Sequence, residues 1–193
     1  YYSRILGSCG INLIIDIGVV IENPKDIYLG DNVWLDNFCI LIAGKVNQKF
    51  NIENKYNRSF EYSEGELHLK GNNHIAPFSL IQAHGGVVVG KDVTIASGSK
   101  VYSLSHHYRN TVDESDLSQY YFSTKSDINN QFFIKSPVVI GNGAAIGLNT
   151  VILPGTVIPD GTWVGVSTYM TGSNNLGNSV YATQAAAFVK NKK

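Results

Sequence analysis

The stretch Ile140-Gly-Asn-Gly-Ala-Ala-Ile146-Gly-Leu-Asn-Thr-Val-Ile152-Leu-Pro-Gly-Thr-Val-Ile158-Pro-Asp-Gly-Thr-Trp-Val164-Gly-Val-Ser-Thr-Tyr-Met170 decides the fold. An apolar residue falls on every sixth position from Ile140 to Met170 without a break, and Gly, Pro or Asp follows within a few steps. Such a beat gives very short strands joined by tight turns. An α-helix would place apolar residues three and four apart, and the β-branched and Gly content also opposes it. A β-sandwich would alternate with period two over longer runs.

The same spacing returns upstream at Leu29, Leu35 and Leu41, at Leu69, Ile75 and Ile81, and at Val89, Ile95 and Val101. Three hexads make one triangular coil of about eighteen residues, and stacked coils bury the aliphatic column. The expected architecture is a single all-β domain, a parallel β-helix with coils over about residues 11–173. Two polar insertions rich in Asn, Ser and Tyr interrupt it at about 43–66 and 104–136. Loops of that length are usual places for a site. Residues 174–193 read as a tail or short helix that caps the open end of the solenoid.

Composition narrows the function classes. Of 193 residues, 44% are hydrophobic and 16% charged, as in an ordinary folded domain, and the formal net charge of zero gives no field to draw the chain to nucleic acid. No apolar run reaches the ~20 residues that span a bilayer: Ile11 to Val20 is broken by Asn12 and Asp16. Cys9 and Cys39 lack metal spacing and read as buried thiols of a reducing compartment, so a cytoplasmic setting is expected. The chain opens at Tyr1 without a methionine, which leaves a preceding leader open.

The runs Leu29-Gly-Asp-Asn-Val-Trp, Val89-Gly-Lys-Asp-Val-Thr and Ile146-Gly-Leu-Asn-Thr-Val resemble the hexapeptide-repeat family, whose coils wind left-handed. That handedness comes from the resemblance, because parallel crossovers elsewhere are right-handed. The segment Lys100-Val-Tyr-Ser-Leu-Ser-His106-His107-Tyr108-Arg109 resembles the catalytic segment of maltose- and galactoside-type sugar O-acetyltransferases, in which a strand ends in a Thr or Ser run followed by His. The resemblance implies an acetyl-CoA-dependent O-acetyltransferase with His106 as general base. A neutral imidazole suits that task, since it can take a proton from a hydroxyl as the oxygen attacks a thioester.

His107 departs from the Pro common at that place, and in an extended segment it points away from His106. Gln82 and His84 lie about one coil before Ser103 to Ser105, so Gln82, His84, Ser105, His107 and Tyr108 are the acceptor-binding candidates. Gln82 and His84 equally suit a solvent-facing corner. Asp36 and Asn37 resemble a polar pair that touches acceptor in the family, but stand far upstream of His106. Tyr102, Tyr108, Tyr120 and Tyr121 suit stacking on a sugar or plain packing.

By the same resemblance, acetyl-CoA would lie along a groove lined by Ala145, Gly147, Leu148, Gly165, Val166 and Thr171. The family's closing Gly-x-Pro-x-Arg turn is replaced by Thr183-Gln-Ala-Ala-Ala187, so Lys190, Lys192 or Lys193 would supply charge for the nucleotide phosphates, a role these lysines share with that of a plain solvated tail. Gly at these corners is also what a tight turn demands. A homotrimer with active sites between subunits is implied, with a sugar or surface glycan as acceptor. Alternatives are an N-acetyltransferase acting on an amino sugar, a non-catalytic scaffold, and a zinc enzyme like the γ-class carbonic anhydrases. The zinc enzyme's closely spaced His pair is absent, and no metal site is expected.

Overall fold

The computed structural model describes residues 1–46, 51–54, 60–173 and 175–183. The chain winds into the left-handed parallel β-helix expected, with three parallel sheets as the faces of a triangular prism. The first sheet stacks Ser8–Cys9, Ile27–Leu29, Leu67–Leu69, Val87–Val89, Val138–Ile140 and Val157–Ile158. The second runs from Ile14–Ile15 to Val180–Tyr181, and the third from Val20–Glu22 to Tyr169–Met170. Strands therefore extend past the expected bounds at both ends, and the start of the tail adds a strand to the second sheet by pairing with Trp163–Val164.

The hexad residues point inward. Leu29, Leu69, Val89, Ile140 and Ile158 form one column, Leu35, Ile75, Ile95 and Ile146 another, and Leu41, Ile81, Val101 and Ile152 a third, all at most 2% exposed. Each such side chain gains about 1.5–3 kcal/mol from burial. Coil length differs from the expected eighteen: Leu69 pairs with Val89 and Ile81 with Val101, twenty residues apart, and only later does Ile140 pair with Ile158 at eighteen. The extra residues all fall at one corner, after the third sheet, as between Ile21 and Leu29 or Ile81 and Val89.

The first corner, between the first and second sheets, is held by a polar ladder. Asn12, Asn32, Asn72 and Asp92 all have left-handed backbone, and their side chains bond in series at 2.9, 2.9 and 2.8 Å. Asn and Asp tolerate that conformation best among residues with a Cβ. At the second corner the left-handed positions include Phe38 and Phe78, whose rings are stacked 5.3 Å apart and exposed.

The two insertions leave from the third corner, and their described residues include strands. Leu104–His107 pairs antiparallel with Phe132–Lys135, and Asn51–Asn54 joins that strand in parallel, giving a small three-stranded sheet beside the prism. The β-branched and aromatic residues of Phe132–Lys135 suit a strand, and three of its four residues are buried. An ion pair of 2.6 Å between Lys135 and Glu64 ties the insertions together. Cys39 is buried, donates to the carbonyls of Ile75 and Ala76, and has its thiol pushed up to about 11, chiefly by burial. Both cysteines are free thiols.

Candidate active site

His106 lies on Leu104–His107, where the third sheet gives way to the second insertion. Its ring packs on Phe133, the residue opposite it across the strand pair, with centroids 4.2 Å apart, and Phe122 lies 5.9 Å away. His106 opens on a pocket of about 270 Å³ that it shares with Gln82, His84, Ser105, Thr124 and Gln131. None of the lining residues among the described ones is acidic.

The coil stack brings Gln82 and His84 there. Gln82 pairs with Tyr102, its carbonyl accepts from Ser103 N–H at 3.1 Å, and its side-chain oxygen accepts from Leu104 N–H at 3.1 Å. The Ser103 hydroxyl donates to the Gln82 carbonyl and accepts from Gly85 N–H, both at 2.8 Å, which fastens the corner carrying His84 to the root of the His106 strand. Gly85 is required here, because a Cβ would meet the Ser103 carbonyl at 2.5 Å.

His84 Nδ1 lies 2.8 Å from the Gly44 carbonyl. A carbonyl only accepts, so Nδ1 carries the proton and Nε2 keeps its lone pair. Gly44 in turn donates to Gly65 at 2.7 Å, closing the neck of the first insertion. The first insertion thus sets the tautomer of His84 through its neck and adds Val46 and Ile52 to the pocket wall.

The other sequence candidates lie elsewhere. His107 points away from His106, bonds the Arg109 carbonyl through Nδ1 at 2.8 Å and packs on Tyr108. Tyr108 lines a separate depression, of about 530 Å³, inside the second insertion. Asp116 organises that insertion. It accepts from Ser118 N–H, Asn110 and the Tyr120 hydroxyl, and Ser118 is the main cause that holds its carboxyl far below the usual range. Tyr120 also packs on Phe132, so its role is structural, while Tyr121 is exposed.

Asp36 and Asn37 sit at the second corner, away from His106 across the third sheet. The Asp36 carboxyl is lowered, first by Asn37 N–H, and it also accepts from His74 at 3.2 Å. His74 stacks on Trp34 at 4.3 Å, and Trp34 donates to Asp16 at 2.7 Å.

Ala145, Gly147, Leu148, Gly165 and Val166 cluster on the second sheet and second corner of the last two coils, with Leu148 and Val166 exposed, and Thr171 follows the last strand of the third sheet. Within one chain the width of the third sheet separates that second-corner cluster from His106. A Cβ on Gly147 would meet the Val164 carbonyl at 2.7 Å, so coil stacking alone demands this glycine. Lys190 and the expected capping segment beyond Thr183 lie outside the described residues.

Gln131, Thr124, Phe133, Ile52 and Val46 complete the pocket without having been singled out by sequence. They lie in the insertions, which carry no repeat. Among the described residues no group of three or more His, Cys, Asp or Glu gathers as a metal site, and no helix is long and apolar enough to cross a membrane.

No family model matches the chain. It is 24% identical, over 82% of its length and 68% of the relative's, to an Escherichia coli dTDP-4-amino-4,6-dideoxy-D-glucose acyltransferase. It is 28% identical, over 67% of its length and 62% of the relative's, to WbbJ of Escherichia coli strain K12, assigned to lipopolysaccharide biosynthesis as an O-acetyl transferase. Among solved structures, a point mutant of AntD, an N-acyltransferase from Bacillus cereus in complex with dTDP and Coenzyme A, superposes with a TM-score of 0.72 at 22% identity, covering 99% of this chain and 87% of that one. A maltose O-acetyltransferase from Clostridium difficile 630 gives 0.50 at 16% identity, covering 94% and 67%. The fold is thus shared with left-handed β-helix acyltransferases, and the relatives that the sequence resembles are sugar acyltransferases. Within that class its relatives divide between amine and hydroxyl acceptors.

Proposed function

We propose that the chain transfers acetyl from acetyl-CoA to a hydroxyl of a sugar or glycan, with His106 as general base. The observation that carries this is the pocket itself: two imidazoles, His106 and His84, face a cavity with no acidic residue among its described lining. A hydroxyl enters neutral and must lose one proton, which an imidazole accepts. An ammonium would call for a carboxylate partner on entry. As the sugar oxygen bonds to the thioester carbonyl carbon, its proton passes to His106. Collapse of the tetrahedral intermediate breaks the carbon–sulfur bond, and the imidazolium returns the proton to the CoA sulfur.

Gln82 and His84 are assigned to acceptor binding, with Ser105 beside them. His107 and Tyr108 would touch only an acceptor long enough to leave the pocket. Ala145, Gly147, Leu148, Gly165, Val166, Thr171 and Lys190 are proposed to meet the cofactor. Because Ala145 to Val166 lie across a sheet from His106, that assignment requires a neighbouring copy, and we assign the chain to a homotrimer of the cytoplasm. Exposed Ile17, Phe38, Phe78, Leu148 and Val166 run along the same second corner and would be covered in such an assembly.

Transfer to the amine of an amino sugar is the second reading, favoured by the likeness to the dideoxyglucose acyltransferase and AntD. Incubation with acetyl-CoA and matched hydroxy and amino sugars, followed by hydroxylamine treatment, separates the two. An ester product is cleaved and an amide survives. An amide formed only on amino sugars would replace the O-acetyl assignment.

A further inference from the structure

Gln131 is 3% exposed and stands at the start of Phe132–Lys135, just after a single 3-10 turn, Ile128–Asn130, capped by Asp127. It is held from several sides. Its main-chain N–H donates to Ile128 at 3.3 Å, its carbonyl accepts from the Asn51 side chain at 3.2 Å, and its side-chain Nε2 donates to the Ser126 carbonyl at 2.8 Å.

The Ser126 contact fixes which way the amide faces. A carbonyl cannot donate, so the NH2 end must point at Ser126, and the oxygen end faces His106, where Oε1 lies 3.4 Å from Nε2. An amide oxygen accepts only, so the nitrogen opposite it must carry hydrogen. Neutral His106 then has its proton on Nε2 and its lone pair on Nδ1. His84 is locked the other way, with Nδ1 protonated toward Gly44. One pocket therefore holds two imidazoles in opposite tautomers.

We propose that Gln131 is a positioning residue that holds His106 in the Nε2–H form and so makes Nδ1 the atom that takes the acceptor's proton. The proposal rests on the acetyltransferase reading of the pocket. It gives the second insertion a defined part in the chemistry, since Ser126, Gln131, Phe122 and Phe133 all belong to it and all bear on one imidazole. A wrong tautomer presents a hydrogen where a lone pair is needed, which costs general-base catalysis even when the ring does not move.

The test is a two-bond 1H–15N correlation spectrum of the full chain labelled with 15N-histidine, with His106 assigned by comparison with His106→Ala. The wild type should show His106 protonated at Nε2 in its neutral form. Gln131→Met should mix or reverse that tautomer and lower kcat by about tenfold to a hundredfold with sugar KM within about twofold. Gln131→Glu, which keeps an accepting oxygen, should retain the Nε2–H form. Nδ1 protonation in the wild type, or Gln131→Met with an unchanged tautomer and kcat, would overturn the positioning role. If Gln131→Met does not fold, the wild-type and Gln131→Glu spectra decide alone. A correct tautomer in a protein that transfers no acetyl group would instead overturn the acetyltransferase reading, and with it the catalytic meaning of the contact.

Discussion

Two of the three corners of this solenoid are kept without variation, and the third takes every departure. From the first sheet to the second, and from the second to the third, inward residues follow at six positions in every complete coil, as in Leu69, Ile75 and Ile81 or Ile140, Ile146 and Ile152. Beyond the third sheet the same step takes two extra residues after Ile81, the first insertion after Leu41 and the second after Val101. The insertions come from the second and fourth coils, and His84 stands at the corner of the coil between them. The contrast teaches that the strict corners carry stability while the open corner carries the candidate site. Substitutions should divide accordingly.

The largest expected loss of stability is Ile81→Ala, a fully buried hexad residue. It should lower the unfolding free energy by about 2–5 kcal/mol, read by denaturant titration. Asn32→Ala should cost about 1–2 kcal/mol, because it removes two ladder bonds and places a Cβ-bearing residue without an accepting side chain in left-handed backbone. At the open corner, Glu64→Gln should cost about 1 kcal/mol, since Lys135 loses its charge partner at a largely buried site. A loss at Glu64 as large as that at Ile81 would break the division.

The smallest effect is confined to the second insertion. The Asp116 carboxyl is depressed in the folded chain, so its contribution is present above the ordinary carboxylate range and is lost as pH falls below about 4 toward its folded value. Hydrogen exchange of Ser118 N–H should therefore quicken in strong acid while the amides of Val87–Val89 stay protected.

The same division explains what the sequence made legible. Short strands, parallel stacking and the inward columns follow from one spacing, and because coils stack, Gln82 and His84 could be set beside Ser103 to Ser105 before any coordinates. The two-residue shift between Ile81 and Val89 is readable in the same spacing, but that it makes twenty residues the rule for the early coils shows only once the strands are paired. Nor was the pairing of Asn51–Asn54 with Phe132–Lys135, which joins segments far apart in sequence with no shared period. Gln131 was hidden for the same reason: its meaning depends on where Ser126 and His106 lie in space. Alternation along an extended segment already turns His107 to the face opposite His106, and Tyr108 lies past the strand's end, in the separate depression of the second insertion.

The most direct test of the proposed hydroxyl-acetylating pocket at the open corner is release of free CoA thiol from acetyl-CoA over a panel of sugars. Wild type, His106→Ala and His107→Ala would be compared, with product mass as the second readout. Sugar-dependent release that falls by about 10²–10⁴-fold in His106→Ala and stays within a few fold in His107→Ala is the predicted result. Full activity in His106→Ala, or no thiol release with any sugar, would contradict it.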